Sequence, residues 1–145
     1  MFLTARERYG WIVILGGTND IIHRSHEREA WDNIANDIIR THKLAHNYGA
    51  KTLLVTIPGE KCSDEDDSGC AIRKEERSYI NNQLRRYAMS DSLTVLCDAA
   101  VKMPRINRTN YEEKFYWEAG LHLTPMGYDR LSEVVYKDLL WGIEQ

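Results

Sequence analysis

The stretch from Trp11 to Asp20, W-I-V-I-L-G-G-T-N-D, constrains the fold of this chain more than any other. Apolar and aromatic side chains run without a break into two glycines and a short polar turn. Such a run, bounded by glycine, predicts a strand buried on both faces, as in the interior of a parallel sheet. In an open parallel sheet the chemistry collects beyond the carboxyl ends of the strands. Gly16 and Gly17 permit a tight turn at that end, and Asn19 is then expected to project its amide into the crevice.

Two more apolar segments, residues 52–57 and 93–97, read as strands rich in Leu, Val and Ile. A helix is predicted between the first two strands, over residues 27–48, with Trp31, Ile34, Ile38, Ala45 and Tyr48 recurring at helical spacing. Ser25 is its expected N-cap, Glu27 and Glu29 suit the positive end of its dipole, and Gly49 is its expected stop. A second helix, over residues 72–89, is expected to bury Ile72, Tyr79, Ile80, Leu84 and Tyr87. A third begins after Thr124 with Pro125 at its first position, and is expected to bury Leu131, Val135 and Leu139. Strands alternating with helices predict a parallel sheet with right-handed crossovers and helices on both faces.

The 145 residues are expected to form a single domain spanning 1–145, with no internal repeat or linker. A net charge of -3 gives no electrostatic reason to expect nucleic acid or an anionic membrane as partner. No apolar run approaches the roughly 20 residues that span a bilayer. The first ten residues carry charge and lack an apolar signal region, which makes the cytosol the expected location. Cys62, Cys70 and Cys97 form neither a disulfide framework nor a metal pattern, and Cys97 reads as a small buried hydrophobe.

A second motif lies near the other end: W-E-A-G-L-H-L-T-P-M-G-Y, from Trp117 to Tyr128. Together, Gly17-Thr18-Asn19-Asp20 after a strand and Gly120-Leu121-His122-Leu123-Thr124-Pro125 before a helix resemble the SGNH (GDSL-type) esterase and acylhydrolase family. The first matches that family's G-x-N-D block and the second its final D-x-x-H block. The resemblance implies a three-layer α/β/α, flavodoxin-like sheet of order 2-1-3-4-5, of which this chain holds strands 3, 4 and 5. It therefore implies the C-terminal two-thirds of the domain. The implied reaction is hydrolysis of a small-molecule carboxylic ester through an acyl-serine, with no cofactor and no metal. Asn19 matches the oxyanion asparagine, whose N–H is worth roughly 10²–10³ in rate. His122 matches the general base. Gly17 and Asp20 support the turn that presents Asn19.

The chain also departs from the family. The serine block and the backbone glycine that complete the site upstream have no counterpart in residues 1–10, which contain no serine. The acid expected three residues before His122 is replaced by Ala119. Glu118 stands one step off, and Asp98 ends the third strand. Loss of the nucleophile alone costs on the order of 10⁶ in kcat, and loss of the acid on the order of 10⁴. An inactive chain is therefore expected, and a non-catalytic binding or interaction module is the alternative. Loss of neighbouring strands would also leave the first strand as an apolar edge, through which self-association is expected.

Asp64, Asp66, Ser68, Gly69 and Glu75 fit the spacing of a calcium loop. The segment entering it is a strand and not a helix, so an acidic surface loop capping the second helix is expected instead. His26, His42 and His46 fall in the region of the first helix with no third ligand in view, and are expected to be solvated.

Overall fold

In the computed structural model, residues 9–24, 26–59, 68–103, 116–118 and 122–145 are described. They form a mixed α/β architecture built on a three-stranded parallel sheet: β1 (Trp11–Ile14), β2 (Lys51–Val55) and β3 (Thr94–Cys97), in the order β1-β2-β3. Ile14 pairs with Leu54, and Leu54 with Leu96, so the three strands advance in step. Between β1 and β2 lie the short α1 (Thr18–His23) and the long α2 (Arg28–Asn47). α3 (Ser68–Ser90) connects β2 to β3, and α4 (Ala99–Lys102) follows β3. An antiparallel pair, β4 (Trp117–Glu118) and β5 (His122–Leu123), leads into α5 (Pro125–Glu144).

Alternation along β2 builds two cores. Leu54 is fully buried with Ile21, Trp31, Ile34, Ile80 and Leu84, against α2 and α3. Leu53 and Val55 point the other way, toward Trp117, Leu123 and Val134 beneath α5. Period-two alternation thus sets helices on both faces of one strand.

The expected burial of β1 on both faces is corrected, while its expected place at an edge agrees with the sheet order. Among the described residues it pairs only with β2, so it is an edge, and Val13 is 43% exposed. α5 lies over β2 and β3, which leaves that face of β1 thinly covered. An apolar run looks the same in sequence whether the strand lies at the centre or the edge of a sheet.

Helix ends follow local chemistry. Gly49 adopts φ 84 and closes α2: its N–H donates to the His46 carbonyl at 2.8 Å, and that of Ala50 to Ala45 at 3.2 Å. That pair of bonds is the Schellman stop. Glu27, not Ser25, occupies the N-cap of α2, and Ser25 lies outside the described residues. Tyr48, expected in the core, is the C-cap and is exposed. Ile72 is exposed too, because the buried stripe of α3 runs through Glu76, Arg77, Ile80, Asn81, Leu84 and Ala88. In α5, Val134 and Gly142 are buried, while Leu131, Val135 and Leu139 pack against the core only in part.

Cys97 is buried and free, and burial with the nearby Asp138 pushes its thiol up to about 12. Cys70, by contrast, is disulfide-bonded, where the cysteine pattern had predicted no disulfide framework. Such bonds persist mainly in oxidising compartments. No helix among the described residues is long and apolar enough to cross a membrane. Of the calcium-like segment, residues 64–67 lie outside the described residues. Ser68 to Glu75 is helical throughout, whereas the first residues of that stretch would have to wrap around the ion in a calcium loop.

The histidines of α2 are not solvated as expected. His42 extends the stripe of Ile34, Ile38 and Ala45 and is completely buried. Its Nδ1 lies 2.8 Å from the Thr52 hydroxyl, which also meets His46 Nε2 at 3.0 Å and the Thr94 hydroxyl at 3.2 Å. Asp91 lies 3.7 Å from the other His46 nitrogen, and the Tyr87 ring packs 6.0 Å from the His42 ring. Burial, reinforced by His46 and opposed by Asp91, holds the His42 imidazole down to about 4, from an ordinary 6.5. As pH falls below 6.5 the unfolded chain therefore binds this proton before the native state does, and stability drops. A loss of about 3 kcal/mol is expected between pH 6.5 and pH 4 from this group. Urea unfolding across that range should show it, with the slope flattened in His42→Phe.

Candidate functional site

All three parallel strands run the same way, so their carboxyl ends define one rim. Gly17, α1 and the start of α2 follow β1 at that rim, and the start of α3 and Asp98 follow β2 and β3. Gly17 is the N-cap of α1 with φ 99, a left-handed conformation that glycine takes readily. A Cβ there would lie 2.7 Å from Ile57 Cδ1 and 3.0 Å from Ile38 Cδ1. The glycine therefore both turns the chain and lets it press onto the core.

The expected polar turn is the first turn of a helix. Asn19 is the second residue of α1 and its side chain is exposed. Asp20 pairs with Arg24 at 3.2 Å, one helical turn on, which ties it to the helix and leaves Asn19 the freer group. His122 opens β5 and is exposed as well. Neither Asn19 nor His122 makes a side-chain hydrogen bond among the described residues, and no such bond joins them. Ala119 lies outside the described residues. Glu118 sits directly across the β4–β5 pair from His122, so the two side chains share a face. No ion pair joins them, but Glu118 is nearer the imidazole's side than its sequence offset suggested.

The residues around His122 are held by the chain that follows. Thr124 is the N-cap of α5, its hydroxyl accepting from the Gly127 N–H at 3.1 Å, with Pro125 at the first helical position. The Thr124 N–H donates to the Tyr116 carbonyl at 3.1 Å, which extends the β4–β5 pairing into the helix. Gly127 is buried against that same carbonyl and Leu123, with no room for a Cβ. T-P-M-G is thus a structural device that docks the start of α5 and fixes the exit of β5.

Asp98 is a structural group. Arg85 donates to it through Nε at 2.8 Å and a terminal nitrogen at 2.9 Å, and the Thr56 hydroxyl donates to it at 2.9 Å. Burial opposes its charge, but Arg85 and Thr56 together hold the carboxyl below its ordinary value. Thr56 also accepts from the Ala100 N–H, so the three residues lock β2, α3 and α4 together.

One pair at the rim escaped sequence analysis. His26 precedes α2, and its Nδ1 lies 3.0 Å from Glu76 Oε2. Glu76 is completely buried, and burial, partly offset by His26 and Arg77, raises its carboxyl above the usual value. A glutamate on the core stripe of α3 was the available signal. Among the described residues no cluster of three or more His, Cys, Asp or Glu could hold a metal ion.

Replacing Gly127 by alanine should cost about 3 kcal/mol, because the obstructing atom is a backbone carbonyl that cannot swing aside. Thermal unfolding checks this against an exposed control such as Ser132→Ala.

No family model matches the chain. No curated protein matches it either. Among solved structures it is similar to one described as "a putative platelet activating factor from Streptococcus pneumonia", with a TM-score of 0.64 and 24% identity. The match covers 88% of this chain and 58% of that one, so the chain spans little more than half the length of its neighbour. At this identity the likeness establishes a shared α/β fold.

Proposed function

We propose that the chain is an SGNH-type hydrolase-like domain, of the three-layer flavodoxin-like kind, whose ancestral chemistry is the hydrolysis of small carboxylic esters through an acyl-serine. The observation that carries this is the placement of its two motifs. G-T-N-D caps and opens a helix at the carboxyl end of β1, and H-L-T-P-M-G-Y leads from β5 into the last helix. The similar solved structure supports the α/β fold.

In this proposal Asn19 donates its side-chain N–H to the oxyanion of the tetrahedral intermediate. His122 takes the proton of the attacking hydroxyl and returns it to the leaving alcohol. The nucleophile must come from a serine block that the 145 residues do not contain in the matching position. With Ala119 in place of the acid, nothing at that position fixes the imidazole tautomer. The 145-residue chain alone is therefore inactive through this route. Ala119 also favours a second reading, a non-catalytic binding module on the same fold.

Turnover of short p-nitrophenyl esters by this chain is expected to equal that of His122→Ala. Fusing a segment that supplies the serine and glycine blocks should create activity that depends on Asn19 and His122. Ala119→Asp should then raise kcat. Hydrolysis by the unfused chain that His122→Ala abolishes would contradict the proposal. A fused chain inactive with and without Ala119→Asp would leave the binding module as the better reading.

A further proposal concerns assembly. Among the described residues β1 offers an apolar edge, with Val13 43% exposed and Leu15, just beyond it, 42% exposed, a template for pairing with another strand. Self-association at micromolar concentration is expected in sedimentation velocity and should weaken in Val13→Lys. A single monomeric boundary at all concentrations would exclude it.

A further inference from the structure

We propose that His26 and Glu76 form an acid–base dyad at the carboxyl-end rim, presenting imidazole Nε2 as a general base toward the carbonyl of a small, activated ester. The proposal is independent of His122 and Asn19. Its first support is geometric. Glu76 Oε2 takes the Nδ1 side of the ring at 3.0 Å, which leaves the opposite nitrogen to other partners, on a side chain that is 38% exposed while that of Glu76 is 0%. A buried carboxylate holding one ring nitrogen, with the other facing solvent, is the arrangement that makes a histidine a directed base.

The second support is positional. α2 and α3 each run back from the carboxyl ends of the strands, so the residues that begin them lie at the rim. Asn81 brackets the chain just beyond β2, giving and receiving hydrogen bonds with Ile57 at 2.9 Å. Glu76 stands more than one turn beyond Asn81 toward the start of α3. The segment carrying His26 is also stapled to α3, because the Arg28 guanidinium stacks over the Tyr79 ring at 3.8 Å. The ring sits on the short connection before α2, and these contacts to α3 help to place it in advance.

The third support is energetic. Glu76 Oε1 is buried without any hydrogen-bond partner, and its partner histidine satisfies one oxygen alone. An incompletely paired buried carboxylate lowers stability relative to an apolar residue of similar shape.

The step balances without any further reactant. A water O–H gives its proton to Nε2 as its oxygen bonds to the acyl carbon. The tetrahedral intermediate then breaks the bond to the alcohol oxygen, which recovers the proton from the imidazolium. The Nδ1 proton stays on the ring throughout, donated to Glu76 in a hydrogen bond, and the products are acid and alcohol.

The test uses the full chain with p-nitrophenyl acetate, in the His122→Ala background, so that the site proposed above cannot contribute. Long-range ¹H–¹⁵N spectra at pH 8 are expected to show His26 as the Nδ1–H tautomer, switching to Nε2–H in Glu76→Met. Glu76→Met should keep or raise Tm, and both it and His26→Gln should slow hydrolysis by at least about tenfold. An Nε2–H tautomer in the parent chain would overturn the proposal, as would a rate untouched by His26→Gln. A lower Tm in Glu76→Met would also overturn it, since the carboxylate would then serve the fold.

Discussion

The parallel pairing of β2 on both its edges is the constraint on which the rest depends. It places Leu53 and Leu54 back to back, each completely buried, at the centre of two separate cores. Every helix that packs on the sheet packs against side chains of this strand or its partners. The amino end of β2 is closed by the Thr52–His42–His46–Thr94 hydrogen bonds, and its carboxyl end by Thr56–Asp98–Arg85 and Ile57–Asn81. Buried polar groups cost stability unless paired, so these bonds fix the register of strand against helix as well as the fold.

That division gives the two ends of the sheet different characters. At the amino end the histidines are buried and bound to threonine hydroxyls, where one of them titrates far from its ordinary value. At the carboxyl end, polar groups remain exposed on a rigid frame: Asn19 on α1 and the His26 ring against Glu76. His122 is held separately, by the β4–β5 pair and the docked start of α5. The frame positions them through glycine and capping chemistry. Gly17 presses the first turn onto Ile57, and Gly127 presses α5 onto Tyr116. Small residues at close approaches turn a general α/β scaffold into one that holds particular side chains at its rim.

Much of the frame was legible in the sequence because its signals are local. Three apolar runs separated by helical periodicity were enough for the strands, the parallel connection and the helices on both faces. Gly49, Thr124 and Pro125 ended and began helices as their backbone chemistry requires. The partial exposure of β1 could not be read from its apolar run, because such a strand carries no mark of how many neighbours it has; its edge position was expected only from the family resemblance. His42 and Glu76 were hidden for the opposite reason. Both lie on the buried stripes of their helices, at positions where apolar residues are expected, and their partners Thr52 and His26 lie 10 and 50 residues away. Polar residues on an apolar stripe record a tertiary contact that periodicity cannot supply. Of the site residues, Asn19 falls at the expected end of the sheet and His122 at the entrance to the last helix, but on elements finer than the sequence resolves.

The central claim, a sheet organised around β2 with β1 as an apolar edge, is tested most directly by amide hydrogen exchange resolved residue by residue. The chain should be held at a concentration low enough to keep it monomeric. Leu53, Leu54 and Val55 should exchange only through global unfolding, whereas the β1 amides directed away from β2 should exchange orders of magnitude faster. Equal protection of β1 and β2 in the monomer would contradict the account, because another segment would then have to cover the edge on which the proposed assembly depends.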